Sequence, residues 1–406
     1  MKSNIKLVFF YIVGFILLYL EPVHIAGLTI GILWKLLLIF ILFFPILYQI
    51  LELKTIELFV LLYIFFAMKS LISYSSLSYP ITTLTFFVKS LMFPMLYLYF
   101  ISRVKSETLL FLAKHFSILI ILCFLPYIFG ILEPLGEGYP LDSFGLDGSF
   151  GLVGPFINPH SASLSLAFSL IIISSNIRKE NKFKENLFFI ILIILGFYEI
   201  MNTYVRTGLV IYMIVLLYLY LREINLKKIF LLFLTALTIG GIGVYLYHTN
   251  DIVRMRIEDR NKYNDGGEAG SGRFEFWRHA VENWADDDMS VIFIGLGEEY
   301  AKDKMLEDTG LRIFAHNEFF QMLQQEGLIG FSLFLATLFS IISFIFKYKS
   351  SIYYTTTISI FMGMIIMMSF QGGFYFNIVF FLSIYLALLK QEYNSILYTR
   401  RRIINE

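Results

Sequence analysis

Two arginines and a histidine, far apart along the chain, have the chemistry needed to act on a phosphate-activated substrate. The first is Arg206, in the short segment Tyr204-Val205-Arg206-Thr207-Gly208 between two apolar runs. A guanidinium group presents a planar fork of N–H donors that matches the oxygens of a phosphate. Arg206 is therefore a candidate anion clamp. The alternative is an arginine that only marks the membrane interface.

Arg273 lies in a segment typical of a helix start, Ser271-Gly272-Arg273-Phe274-Glu275-Phe276-Trp277, with Ser271 as the expected cap. The following apolar side chains share one face: Phe274, Trp277, Val281 and Trp284. This pattern predicts an amphipathic helix on the membrane, with its tryptophans in the headgroup layer. Arg273 falls in the first turn, where free N–H groups and the helix dipole favour an anion. Position alone leaves its binding role open.

His316 and Asn317 stand immediately before an apolar run. A histidine titrates near neutral pH, so His316 could hold or accept the proton of an attacking hydroxyl. Alternatively, Asn317 caps the helix and His316 is incidental. External position does not single it out, because four other histidines are also expected at or beyond the outer interface: His24, His160, His248 and His279. His160 follows Asn158-Pro159, an ordinary helix start, and is a weaker candidate.

Two lysines, Lys69 and Lys89, are predicted inside membrane spans, toward the outer half. A buried charge in a span is costly and usually functional, although Lys69 could simply extend to the outer surface. A third lysine, Lys35, has no evident role. The acids of residues 249–317 fit a solvated face better than a metal site, so no metal is expected. The single cysteine, Cys123, excludes an intrachain disulfide and a cysteine-ligated metal site.

The elements that must position these residues are membrane spans. The chain of 406 residues is 58% hydrophobic and only 16% charged, whereas soluble proteins carry about 25% charged residues. Apolar runs of roughly 17–25 residues recur along its length. The first run, Leu7–Leu20, lacks a small-x-small cleavage site and is expected to remain as a span. The predicted spans are approximately 6–21, 27–48, 56–73, 81–101, 109–132, 156–175, 187–203, 206–221, 228–248, 318–346, 351–370 and 373–390.

The Lys and Arg distribution orients these about twelve spans. With both termini in the cytoplasm, the inner segments hold many lysines and arginines, whereas the short outer loops hold only Arg206. The prediction is three regions: 1–248 with spans one to nine, 249–317 as a large external loop bearing the catalytic residues, and 318–406 with spans ten to twelve and a cytoplasmic tail. The Gly-rich outer loop 133–155 should form turns without regular elements. ATP is absent outside, so the substrate must arrive activated.

This arrangement resembles the O-antigen polymerase and O-antigen ligase superfamily of bacterial envelopes. The resemblance rests on the external loop between spans nine and ten and on four patches in order. These are Phe156-Ile157-Asn158-Pro159, Arg206-Thr207-Gly208-Leu209, Ser271-Gly272-Arg273-Phe274-Glu275-Phe276-Trp277 and the segment from His316-Asn317-Glu318 to Gly327-Leu328-Ile329-Gly330. It implies an all-α, GT-C-like polytopic fold with short helices in the external loop.

The resemblance implies a metal-independent glycosyltransferase that needs no cofactor. Such enzymes transfer a glycan from undecaprenyl pyrophosphate to an acceptor hydroxyl on the outer face of the bacterial inner membrane. His316, Arg206 and Arg273 would be the catalytic residues, with the arginines on the pyrophosphate and the histidine toward the acceptor. The full predicted substrate-binding set is Arg206, Arg273, Asn317, Lys89, Lys69, His160 and Trp277. Expected partners are the lipid-linked donor and acceptor, the membrane and a chain-length regulator protein; no nucleic acid is expected.

Three alternatives remain. The motifs do not separate a polymerase, which extends a lipid-linked repeat unit, from a ligase, which attaches the glycan to lipid A-core. The abundance of Ile, Phe and Tyr favours the polymerase. A lipid-linked glycan flippase would place charged residues along a central pathway and break helices in paired positions. The ionisable residues here gather on one external side instead, which favours the transferase. A non-catalytic assembly factor is the third alternative.

Overall fold

The computed structural model describes residues 2–25, 28–51, 56–136, 139–140, 149–177, 182–221, 241, 244–245, 247–249, 273–372 and 376–405. The first half of the described chain contains nine helices: α1 (Lys2–Leu20), α2 (Ile30–Leu51), α3 (Leu58–Lys69), α4 (Pro80–Arg103), α5 (Ser106–Leu122), α6 (Leu125–Ile128), α7 (Pro159–Ser175), α8 (Phe183–Thr203) and α9 (Arg206–Leu221). The second half contains α10 (Arg273–Ala285), α11 (Met289–Ile294), α12 (Glu298–Thr309), α13 (Glu318–Lys347), α14 (Tyr354–Phe370) and α15 (Phe376–Asn405).

The protein is a polytopic helical membrane protein. Four helical segments are long and apolar enough to cross a bilayer: 80–103, 106–128, 183–203 and 318–347. Six shorter apolar helical segments accompany them within the described ranges. The count of twelve spans stays a prediction, and most of the predicted span 228–248 lies outside the described residues.

Two short antiparallel ladders interrupt the helical pattern. His24–Ile25 (β1) pairs with Leu28–Thr29 (β2), so α2 begins at Ile30 rather than near residue 27. Tyr139–Pro140 (β3) pairs with Ser149–Phe150 (β4). The Gly-rich loop 133–155 therefore contains a two-residue pairing that its composition did not predict, because the pairing joins segments ten residues apart.

The apolar stretch 187–221 folds as the predicted helical hairpin. α8 ends at Thr203, and Tyr204 adopts a left-handed conformation with φ 58° before α9 begins at Arg206. α8 and α9 both pack on α7, which also contacts α5 and α14. α7 is buried along most of its length, and its small residues Ser163, Ser165 and Ser169 let its neighbours approach closely.

α13 is broken inside the membrane region at Gly327, where φ is 62° and ψ is −174°. The break frees carbonyl groups that would be costly to leave unpaired in lipid. Leu296 N–H donates to the Gln324 carbonyl at 3.0 Å, and Gly297 N–H donates to the Gln325 carbonyl at 2.9 Å. The segment after α11 is therefore hydrogen-bonded directly to the interrupted helix.

The helix predicted to lie on the membrane, α10, packs on protein instead. Its buried Ala280 lies in a small core with Met305 and Ala315. The Trp277 ring is 5.7 Å from the Phe320 ring, and Trp284 Nε1 donates to the Ile292 carbonyl at 3.0 Å. The tryptophans were expected in the headgroup layer. In the structure Trp277 and Trp284 lie partly against α11 and α13, whereas Phe274 on the same face stays exposed. The expected cap, Ser271, lies outside the described residues.

Candidate active site

The three predicted catalytic residues all stand at helix starts. Arg206 is the first residue of α9, Arg273 is the first of α10, and His316 precedes the cap of α13. Helix starts expose unbonded N–H groups and the positive end of the dipole, so each position favours an anion nearby.

His316 is held in an unusual conformation by its neighbour. Its φ is 54°, a left-handed value that few non-glycine residues adopt. The Asn317 Oδ1 accepts from the backbone N–H of Phe319 at 3.0 Å and of Phe320 at 3.4 Å. Asn317 Nδ2 donates to the Ser369 carbonyl at 3.0 Å. Asn317 therefore caps α13, ties it to α14, and fixes the direction of the preceding histidine.

The His316 ring is set up as a neutral base. It is partly buried, and burial lowers its pKa from the ordinary value. The positive charge of Arg273 lowers the pKa further, while a hydrogen bond with the backbone of Gln371 opposes the shift. The net result is an unprotonated imidazole at neutral pH, which can accept a proton.

Gln371 links His316 to the α9 start. Its backbone bonds the His316 ring, and its side-chain Nε2 donates to Thr207 Oγ1 at 3.3 Å. Thr207 directly follows Arg206. A Cβ atom at Gly372 would lie 3.1 Å from Glu318 Oε2, so the chain after α14 passes close against the start of α13.

His160 lies in the same region as His316 and Arg273. It is the second residue of α7, whose cap Asn158 accepts from Ser161 N–H at 2.9 Å. His160 interacts electrostatically with His316 and Arg273, so the three side chains lie in the same region of the protein. Ser163, one turn further along α7, donates to the Val205 carbonyl at 3.3 Å. That bond places the residue before Arg206 beside the first turn of α7.

The other predicted binding residues lie apart from this cluster. Lys69 donates to Glu326 Oε2 at 2.8 Å, to the Ile294 carbonyl at 2.7 Å and to the Glu326 carbonyl. These contacts stabilise the break in α13. Lys89 lines a separate cavity between α2 and α4. Trp277 packs on Phe320, behind His316 on α13.

Sequence reasoning missed Gln371, Gly372, Thr207 and Glu318. Gln371 and Gly372 stand between the predicted spans 351–370 and 373–390, and this polar break was the available signal. Glu318 is almost fully buried beside Asn317 although it carries a charged side chain. Among the described residues, no group of three or more His, Cys, Asp or Glu is placed to hold a metal ion.

Residues 189–335 match the family model described as O-antigen ligase. The match confirms, over that range, the resemblance to the O-antigen polymerase and ligase superfamily. It includes Arg206, Arg273, His316, Asn317 and Trp277. No curated protein matches the chain.

The matched family indicates a general class of activity. The family implies a glycosyltransferase-like enzyme of lipopolysaccharide biosynthesis that acts on lipid-linked glycans. Together with the apolar helices, it indicates a protein of the bacterial inner membrane.

Proposed function

We propose that the chain is a polymerase-type glycosyltransferase that joins undecaprenyl-pyrophosphate-linked repeat units on the outer face of the inner membrane. The observation that carries this proposal is that Arg273, His160 and His316, at the starts of three helices, interact electrostatically. The Phe276 ring, one turn after Arg273 on α10, lies 6.4 Å from the His316 ring. Arg206 is the first residue of a fourth helix, α9. The hydrogen bond between Gln371 and Thr207 joins the start of α9 to the residue that bonds the His316 ring. In this arrangement an anionic leaving group and a nucleophile can be held side by side.

In the proposed reaction, Arg206 and Arg273 bind the donor pyrophosphate. The acceptor hydroxyl oxygen forms a bond to the anomeric carbon, and the bond from that carbon to the pyrophosphate oxygen breaks. The leaving pyrophosphate takes the electron pair, and the arginines stabilise its added charge. The hydroxyl proton passes to His316. Attack opposite the pyrophosphate inverts the anomeric centre, as the family resemblance implies, and the pyrophosphate bond supplies the activation without a metal.

The proposal includes the membrane arrangement. Residues 249–317 form the external loop that bears Arg273 and His316, regions 1–248 and 318–406 span the membrane, and both termini are cytoplasmic. Asn317, His160 and Trp277 shape the substrate site, and Lys69 and Lys89 remain predicted substrate contacts. A chain-length regulator is a further proposed partner.

Reconstitution distinguishes the transferase from its alternatives. The protein is placed in liposomes with lipid-linked repeat units already on the side of the external loop. The proposed polymerase lengthens the glycan there, as a gel ladder shows. A ligase lengthens nothing until lipid A-core is added, and a flippase only moves label across the bilayer. No ladder from correctly oriented protein supplied with its own repeat unit would reject the polymerase.

A further inference from the structure

A second basic site lies on another side of the membrane domain, in a cavity of about 180 Å³ between α2, α4 and α15. The volume is several times that of one water molecule. Most of the lining is apolar, and the polar side chains are Lys35, Thr85 and Lys89. An apolar cavity with cations at one end suits an anionic lipid.

Lys89 is the principal charge of this cavity. It is exposed toward it, and it makes no hydrogen bond or ion pair with any residue that the structure describes. Its ammonium group interacts electrostatically with Glu298 and Lys302 on α12, in the outer loop. In the proposed membrane arrangement, this places the charged end of Lys89 toward the outer face, where lipid phosphates lie.

Lys35 joins this cavity to a larger apolar groove. Lys35 Nζ bonds Glu21 Oε1 at 2.6 Å and lies 5.3 Å from the Trp34 ring and 5.6 Å from the Phe376 ring. Trp34 and Phe376 line a groove of about 860 Å³ between α1, α2, α5 and α15. A phosphate at Lys89 could thus continue into a long hydrocarbon chain in the groove.

The cavity is close to the candidate active site. Phe376, which lines it, follows Gly372 by four positions, a distance of at most about 14 Å for an extended chain. Gly372 itself packs against Glu318, two residues from His316. A lipid anchored at Lys89 could therefore present its glycan to His316 from a cavity that neither Arg206 nor Arg273 lines.

Resting on the proposed function, we propose that the Lys89 cavity anchors the polyprenyl pyrophosphate of the acceptor substrate, while Arg206 and Arg273 hold that of the donor. A reaction between two lipid-linked glycans requires two anionic headgroups to be held at once. Like charges repel at close range, so two separate basic sites are physically preferable to one.

The activity test compares two acceptors with the same lipid-linked donor: the lipid-linked repeat unit and the lipid-free oligosaccharide of that unit. Lys89→Gln should lower transfer to the lipid-linked acceptor about tenfold or more, the scale of a lost charged hydrogen bond. Transfer to the lipid-free acceptor should be unchanged. The matched control is Lys114→Gln, which removes a lysine from α5 that pairs with Glu185 at 3.1 Å. Equal losses with both acceptors, or no loss with either, would overturn the proposal.

The binding test does not depend on transfer. Native mass spectrometry of the full chain with sugar-free undecaprenyl pyrophosphate should show two bound lipids for the wild type and Lys114→Gln. Lys89→Gln should bind one. Two lipids on Lys89→Gln, or displacement of the second lipid by excess phosphatidylglycerol, would rule out an acceptor site. Wild-type protein that binds two lipids but transfers to neither acceptor would instead reject the proposed function.

Discussion

At the scale of single residues, His316 is fixed from both sides. Asn317 caps the following helix and bonds Ser369, and the Gln371 backbone bonds the ring itself. His279, on α10, lies near the acids Glu275 and Glu282 of its own helix and Asp308 of α12. The two histidines therefore have different surroundings, so His279 is a suitable control for substitutions of His316.

His316→Ala should lower glycan transfer by about 100-fold, the usual scale for a lost general base. Its abundance should be normal, because the Asn317 cap remains. Donor binding should also remain, since the arginines are intact. Polymer length on a gel, with His279→Ala as the control, measures the effect. Full-length polymer from the His316→Ala variant at normal expression would remove His316 from the mechanism.

The pH profile tests the electrostatic link between Arg273 and His316. Because burial and the Arg273 charge lower the His316 pKa, the base stays neutral down to a pH below about 6.5, the ordinary value for histidine. Activity should fall only as pH drops through that lowered pKa. Arg273→Gln removes a positive charge, so the pKa should rise and the acid limb of its residual activity should move to higher pH.

Arg278→Gln is the control for this experiment, because Arg278 lies on the same helix beside Glu275 and Glu282. It should keep the wild-type profile. An acid limb at the same pH in wild type and Arg273→Gln would show that the Arg273 charge does not act on the catalytic base.

At the scale of elements, the interrupted helix α13 connects α3 to the segment that contains α10, α11 and α12. Gly327 adopts the left-handed backbone conformation at the break, and a Cβ atom there would lie 2.5 Å from the Gly295 nitrogen. Lys69 Nζ holds the Glu326 carboxylate and the last carbonyl of α11 at the same point. The α13 segment that begins beside His316 is thereby anchored to α3.

Lys69→Met should destabilise the fold by about 3 kcal/mol, because it leaves the buried Glu326 carboxylate without its counter-charge. The Lys69 and Glu326 side chains are only 10% and 4% exposed. Lys114→Met, which breaks a partly exposed pair with Glu185, should cost less than about 1 kcal/mol. Thermal unfolding in detergent compares the two. Equal unfolding temperatures would mean that Lys69 does not stabilise the break.

At the scale of the whole molecule, the proposed mechanism requires the outer loop and the termini on opposite sides of the membrane. In a Cys123→Ala background, single cysteines at Asp286 and Asn405 should label with an impermeant thiol reagent from opposite sides. Asp286 is exposed in the structure, so its labelling reports the side of the loop. Labelling of both positions from the same side would contradict the orientation inferred from Lys and Arg.

The sequence alone determined the features that depend on local composition. Apolar runs located most of the membrane helices, the hairpin near residue 204 followed from the length of one run, and Asn317 was recognisable as a cap. The patches around Arg206, Arg273 and His316 indicated the family that the match over residues 189–335 supports.

Only the tertiary structure decided which distant residues meet. Gln371 and Thr207 are separated by 164 positions yet share a hydrogen bond, and Lys69 reaches Glu326 across 257 positions. Local patterns report which face of a segment is apolar, but not which neighbour covers it. For that reason the tryptophan face of α10 was assigned to lipid, whereas in the folded chain Trp277 and Trp284 contact protein.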